Sequence, residues 1–182
     1  MKLLSMIKNT SLVILATLSL VACQSCDQDK QRQKEIARQL EPDSLIEASK
    51  HKVEMENLQI DGYIKRRGWN MIKTGTGLRY EVYEEGAEGP LAQTGQVVTI
   101  DYQVYLINGE KVYSSEKAGP QSFEIGKADV ESGLHEGMHY LKKGDKARLV
   151  IPSYLAHGLT GDNYKIPGDA TIIYDLKVVD LK

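Results

Sequence analysis

The chain has 182 residues, a formal net charge of −2 and a hydrophobic share of 41%. This length suggests one domain plus extensions, and the apolar share is enough to form a core. No basic block stands out, so nucleic acid is not an expected partner. With ten Tyr against one Trp and one Phe, tyrosines are expected to carry most of the aromatic burial.

The first 22 residues are typical of an export signal. Lys2 and Lys8 form a positive start, and residues 11–22 are apolar but too few to span a bilayer. The stretch ends in LVAC, which resembles the lipobox of bacterial lipoproteins, whose Cys is acylated and becomes residue one. We predict a signal peptide over 1–22 and a lipid anchor, including palmitate, at Cys23. The alternative is an ordinary secretory signal with a chance Cys.

Three further segments follow in the chain. Residues 23–42 are charged and Gln-rich, which is typical of a tether. Apolar residues then recur at an imperfect helical spacing up to Gly68, which predicts a helix at about 43–66 within a helical extension over 43–70. The remainder, 71–182, is predicted to be the globular domain.

Alternating apolar and polar residues predict the strands. A first strand is expected around 78–82. The longest run, 97–106 (VVTIDYQVYL), has one apolar and one mostly polar face, as in a half-buried strand. Asn108-Gly109 follows and favours a tight primed hairpin turn, which needs positive φ. The runs at 146–151 and 170–181 repeat the alternation.

A short helix is predicted at Val130–Leu141, because Asp129 can cap it and its apolar residues fall on one stripe. Gly133 and Gly137 flank the stripe, where absent side chains allow close approach to a sheet. The predicted architecture is α+β: an antiparallel sheet of about five strands wrapped on this one short helix, after an N-terminal helical extension.

The segment 135–139 (HEGMH) matches the H-E-x-x-H pattern of zinc metalloproteases. His135 and His139 would lie one turn apart, with Glu136 as the base. However, a glycine weakens this helix, and no later Glu supplies a third ligand, which leaves His157 or an Asp. Both His also fall opposite the apolar stripe. We therefore interpret the segment as a solvated helix face and expect no metal.

From Gln96 onward, the chain resembles the FKBP-type peptidyl-prolyl isomerases. The resemblance rests on the spacing G-x-x-x-V-x-x-G-L-x-E-G, which begins at Gly126, and on A-x-G-x-T-G followed by I-P and A-T-I-x-Y-D. VESGLHEGM after a lipobox is similar to the gliding-motility-associated FKBP-type lipoproteins of Bacteroidetes. The expected fold is therefore FKBP-like.

The resemblance implies non-covalent catalysis in an apolar aromatic pocket, without a nucleophile, metal or cofactor. It implies that Leu134 lies under the proline ring and that Tyr102 and Tyr174 form walls. Val130 and Ile166 match apolar rim positions. The backbone N–H of Glu131 is expected to hold a substrate carbonyl.

Four positions depart from the family pattern. A wall aromatic followed by Asp is here Val112-Tyr113, and a second wall aromatic is Gln121. His157 replaces a Tyr that donates its hydroxyl to substrate, and Glu131 replaces an apolar residue. We therefore expect a wider, wetter pocket without its Asp, in which His157 donates a hydrogen bond if its tautomer is right.

Two functions from different classes follow. The first is a membrane-tethered prolyl isomerase that assists the folding of exported proteins. The alternative is a low-turnover chaperone or peptide-binding module with an isomerase-like fold. In both cases, the expected partners are proline-containing segments of exported clients and the membrane. The expected location is the cell envelope, at the outer membrane facing the periplasm. The oligomeric state stays open.

Overall fold

The computed structural model describes residues 30–32, 34–35 and 42–182. The signal peptide, Cys23 and most of the tether lie outside these residues. The chain divides into two compact units, Met1–Lys52 and Val53–Lys182. Helix α1, Pro42–Arg67, begins in the first unit and continues in the second. None of the helices in the described part of the chain combines the length and the apolar character that a membrane span requires.

An antiparallel sheet forms the centre of the second unit. Its strand order is β1-β2-β6-β7-β3-β4, and β5 also pairs with β3. The strands are β1 (Ile72–Lys73), β2 (Arg79–Glu84), β3 (Val97–Leu106), β4 (Lys111–Ser114), β5 (Gln121–Glu124), β6 (Lys146–Ile151) and β7 (Ile172–Leu181). The helices are α2 (Ser115–Ala118) and α3 (Ser132–Met138), with a 3₁₀ turn at Ser153–Leu155. The predicted fold class is confirmed, with seven strands rather than about five.

The period-two alternation correctly predicted which face of β3 is buried. Val98, Ile100 and Val104 are almost fully buried, whereas Val97 and Asp101 are exposed. β3 pairs along its whole length with β7, whose even-numbered residues from 172 to 178 are buried in the same core. This inner face packs against α3.

The outer face of the sheet is partly covered as well, which the alternation did not predict. Ile60 and Tyr63 of α1 form a second apolar cluster with Val150 of β6 and Ile173 of β7. The end of α1 therefore packs on the sheet. The compact unit accordingly begins at Val53, before the predicted domain boundary at 71.

Helix α3 is shorter than predicted. It begins at Ser132 and not at Val130. The N-cap residue is Glu131 rather than Asp129, and the Glu131 side chain makes no capping hydrogen bond. The close approach at the glycines is confirmed. A Cβ at Gly133 would lie 2.4 Å from the Ile151 Cγ2, and one at Gly137 would lie 2.5 Å from a Leu149 methyl carbon.

The β3–β4 hairpin does not use a two-residue primed turn. The Leu106 N–H donates to the Glu110 carbonyl at 2.9 Å, so the loop between these two paired residues has three residues. Gly109 has a φ of 92°, whereas Asn108 has a negative φ and instead accepts the Glu110 N–H through its side chain. A single left-handed glycine therefore closes the loop.

Candidate functional site

Most of the apolar residues assigned to the pocket by resemblance meet on the inner face of the sheet. Tyr102 of β3 and Tyr174 of β7 have ring centroids 6.0 Å apart, at an interplanar angle of 45°. Leu134 of α3 is fully buried, and Ile166, from the loop before β7, is 3% exposed. Val130 is partly buried and packs on the same cluster. These five side chains thus belong to, or pack against, the same apolar core cluster.

Glu131 contributes its side chain to this site, which the sequence did not predict. Its side chain is only 10% exposed. The Tyr174 hydroxyl donates to the carboxylate, with distances of 3.1 and 3.2 Å to the two oxygens. Burial, together with the neighbouring charge and this hydrogen bond, raises the pKa of Tyr174. The phenol therefore stays protonated and acts as the donor.

His157 also faces this carboxylate. Its Nε2 lies 3.0 Å from the Glu131 Oε1, and its side chain is 27% exposed. The tautomer that carries a proton on Nε2 donates to the carboxylate. The imidazole expected to donate to a substrate thus contacts Glu131 in this structure. The site combines apolar walls with a carboxylate, an imidazole and a phenol.

An aspartate from a different segment, Asp162, lies beside Tyr113, the residue that stands where the family pattern has Asp. The Tyr113 hydroxyl donates to Asp162. The same carboxylate accepts the backbone N–H groups of Tyr164 and Ile166, each at 2.8 Å, and of Lys165 at 2.9 Å. Asp162 therefore holds together the loop that carries Ile166.

The pKa values of Tyr113 and Asp162 are shifted in opposite directions. Burial, the hydrogen bond and the charge of Asp162 raise the pKa of Tyr113 to about 12. Burial alone would raise the pKa of Asp162. The hydrogen bonds from Tyr113 and from the loop backbone outweigh burial and lower it to about 2. Near neutral pH, a neutral phenol therefore donates to a charged carboxylate.

Lys165 contacts both Val112 and Tyr113. Its ammonium donates to the Val112 carbonyl at 3.1 Å and lies 5.3 Å from the centre of the Tyr113 ring. The Val112 side chain is 4% exposed and belongs to the core. Because Val112 and Lys165 are far apart in the chain, no local pattern could have linked them.

His135 and His139 do not form a solvated helix face, so that interpretation is wrong. Both are half-buried. The Nδ1 of His135 accepts the Gly126 N–H at 2.9 Å, and its Nε2 lies 3.0 Å from the Ala128 carbonyl. The Nδ1 of His139 lies 3.2 Å from the Ala92 carbonyl. These rings tie α3 to neighbouring loops.

Glu136, the glutamate of the H-E-x-x-H pattern, has a hydroxyl partner. Thr76 donates to its carboxylate, at 2.8 and 2.7 Å from the two oxygens. Within the described ranges, no three or more His, Cys, Asp or Glu side chains are grouped so that they could hold a metal ion. The contacts of this segment are structural ones.

Comparison with known proteins identifies the family. The family model for FKBP-type peptidyl-prolyl cis-trans isomerase matches residues 89–179. The chain is 34% identical over 152 residues to FkpA of Buchnera aphidicola from Acyrthosiphon pisum, which covers 81% of this chain and 61% of that protein. It is 36% identical over 122 residues to FkpA of Escherichia coli, covering 66% of this chain and 43% of the relative.

The fold leads to the same family. The crystal structure of FkpA from Escherichia coli matches with a TM-score of 0.62 and 28% identity, over 84% of this chain and 71% of that one. The chain spans at most about three fifths of the length of the curated relatives named above. The match to the family model over residues 89–179 nevertheless includes each residue assigned to the candidate site. The chain belongs to the FKBP-type peptidyl-prolyl cis-trans isomerase family.

Proposed function

We propose that this protein catalyses cis-trans isomerisation of prolyl peptide bonds. The uncatalysed reaction crosses a barrier of about 18–20 kcal/mol. An amide twisted midway has lost its resonance and is less polar than the planar amide. A dry apolar pocket therefore favours the twisted state. The observation that carries the proposal is the convergence of Tyr102, Tyr174 and Ile166 with the fully buried Leu134.

The proposed roles follow from this arrangement. Leu134 supports the proline ring, and Tyr102 and Tyr174 flank it. Val130 and Ile166 form the rim. The backbone N–H of Glu131 makes no hydrogen bond to another residue in the described part of the chain, and it is proposed to bind the substrate carbonyl. Val112 and Tyr113 shape the wall beside it.

An isomerase assay without a coupled protease tests the proposal. We expect the full chain to accelerate isomerisation of a proline peptide, and Tyr174→Ala to lower kcat/KM because it removes a wall. Tyr83→Ala is the matched control, since Tyr83 lies on the outer face and donates to Asp175 at 2.6 Å. Melting curves verify that both variants fold. Equal rates for Tyr174→Ala and wild type would contradict the assignment of the pocket.

A second candidate function is a low-turnover chaperone or peptide-binding module. It is favoured by the Glu131 carboxylate, which introduces a charge where catalysis needs a dry surface. In that case, a proline peptide binds the wild-type protein without acceleration of its isomerisation. Measuring peptide affinity and kcat/KM on the same sample distinguishes the two functions.

We also propose that the protein is tethered to a membrane through a lipid on Cys23 and acts on exported proteins in the cell envelope, at the outer membrane facing the periplasm. The LVAC motif and the similarity of VESGLHEGM to the Bacteroidetes gliding-motility lipoproteins support this. Acyl chains contribute about 0.8 kcal/mol per buried CH₂.

Detergent partitioning of the expressed protein tests the tether. Wild type and Cys26→Ala are expected in the detergent phase. Cys23→Ala should be soluble or unprocessed, because only Cys23 completes the lipobox. Recovery of a correctly folded Cys23→Ala protein from the membrane would contradict the anchor, while leaving the isomerase proposal unaffected.

A further inference from the structure

A second cavity lies on the outer face of the sheet, away from the proposed isomerase pocket. Its volume is about 310 Å³. The rings of Tyr63, Trp69 and Tyr105 line it, together with the guanidinium groups of Arg67 and Arg148. None of these residues has a role in the proposed isomerisation. The cavity combines flat aromatic surfaces with two cations and with the Asp175 carboxylate.

The charge of Arg148 is already matched. Its guanidinium pairs with Glu81 at 3.3 Å and with Asp175 at 3.4 Å. Asp175 in turn accepts a hydrogen bond from the Tyr83 hydroxyl. The Arg148 guanidinium carbon also lies 5.0 Å from the Trp69 ring centroid and 4.2 Å from that of Tyr83. Arg148 therefore forms part of the rigid wall of the cavity.

Arg67 is in a different situation. Its guanidinium carbon lies 4.9 Å from the centroid of Tyr63 and 5.8 Å from that of Trp69. In the part of the chain that the structure describes, no carboxylate lies within 4.0 Å of it. A guanidinium held by ring stacking loses little further freedom when it binds, and its N–H groups match a carboxylate in a bidentate pair.

We propose that this cavity binds the carboxylate side chain of an acidic peptide segment, with Arg67 as the charged partner and the aromatic rings against the aliphatic part of the ligand. A second depression of about 450 Å³ adjoins the first at Asp175. Its lining includes the ammonium groups of Lys146 and Lys177 and also the carboxylates of Asp101 and Glu116. A peptide backbone can continue along this face of the sheet, which favours an extended segment over a free small acid.

The fluorescence of Trp69 reports directly on this site, because it is the only Trp of the chain. The probe is the peptide Ala-Ala-Glu-Ala-Ala with both ends blocked, which lacks proline and so does not address the isomerase pocket. With the full wild-type chain, we expect a saturable change with the Glu peptide and affinity about tenfold weaker for the Gln analogue, since a charge-assisted pair is lost. This comparison needs no variant.

Variants then locate the binding. Arg67→Gln should abolish the preference for Glu over Gln, whereas Arg66→Gln, its exposed neighbour, should retain it. Neither should change the isomerase rate. Equal affinity for both peptides, or no saturable signal, would overturn the proposal. Sodium acetate that binds as tightly as the Glu peptide would overturn the assignment to a peptide, because the site would then hold any carboxylate.

Discussion

In the proposed substrate pocket, the Glu131 carboxylate contacts both the Tyr174 hydroxyl and the His157 imidazole. Moving a charge out of water is unfavourable unless hydrogen bonds compensate. For Glu131, the Tyr174 hydroxyl and His157 supply them. The group is therefore tolerated in the folded protein, but it keeps a polar surface next to the position where a twisted, less polar amide is favoured.

Glu131→Ile is expected to raise kcat/KM for a proline peptide about tenfold, which corresponds to about 1.4 kcal/mol of transition-state stabilisation. At the same time, stability should fall by about 1–3 kcal/mol, because the Tyr174 hydroxyl loses its acceptor. The isomerase assay and urea unfolding measure the two effects separately. Glu136→Gln, on the same helix but bonded to Thr76, should leave the rate unchanged. A slower Glu131→Ile enzyme would contradict this account.

The Tyr113–Asp162 bond predicts a pH window of stability. The pKa of Asp162 is lowered from 3.8 to about 2, so its contribution is complete above 3.8 and is lost as the pH falls through about 2. The pKa of Tyr113 is raised from 10.0 to about 12, so its contribution is lost as the pH rises through about 12.

Asp162→Asn should therefore unfold more easily than wild type near neutral pH, and the difference should shrink as the pH falls toward about 2. Unfolding free energies in urea at several pH values measure it. Asp129→Asn is the control, because Asp129 is exposed. A difference that persists unchanged in acid would show that the carboxylate charge is not responsible.

At the scale of elements, α3 depends on two residues without side chains. Gly133 brings the helix against Ile151, and the backbone and Cβ of Leu155 also lie within 3.2 Å of where its Cβ would be. Gly137 makes the same approach to Leu149. A seven-residue helix has little intrinsic stability, so packing on the sheet holds it in place.

Gly→Ala substitutions at Gly62 in α1 and at Gly133 in α3 should change the stability of the protein in opposite directions. Inside a helix, Ala is favoured over Gly by about 1 kcal/mol. At Gly62 of α1, the added Cβ would meet only the Arg66 side chain at 3.4 Å, so Gly62→Ala should raise the melting temperature. Gly133→Ala should lower it, because overpacking costs about 1–3 kcal/mol. A stabilised Gly133→Ala protein would mean that the helix can move away from the sheet.

At the scale of the whole molecule, the second half of α1 is part of the folded unit. Glu56 accepts the Ser153 N–H at 2.7 Å and the Thr171 hydroxyl at 2.6 Å. The buried Arg79 pairs with Asp61 at 2.7 Å. These contacts connect the helix to the sheet and to the segments that flank the loop carrying His157 and Ile166.

A chain that begins at Val53 should therefore melt close to the full chain, whereas one that begins at Met71 should melt clearly lower. The shorter chain loses Ile60 and Tyr63, which exposes Val150 and Ile173, and leaves the Arg79 guanidinium without its carboxylate. Calorimetry of the purified chains measures the difference. Equal melting temperatures would support the boundary predicted at 71.

The sequence by itself determined the properties that depend on local pattern. Alternation in β3 and β7 identified the buried inner face, and the motifs beginning at Gly126 and Ala156 identified the family. The apolar pocket residues stay a prediction from the resemblance. The export signal and Cys23 are also predictions from sequence, and they lie outside the described residues. Such features are encoded by residues that are close together in the chain.

Only the tertiary structure decided the polar contacts of the site and the cover of the outer face. Asp162 reaches Tyr113 from 49 positions away, and Tyr174 is 43 positions from Glu131. Nothing in the alternation of β6 or β7 indicates that α1 buries Val150 and Ile173. These contacts arise from how the sheet brings distant segments together, and a carboxylate, imidazole or phenol can be solvated or buried depending on that arrangement alone.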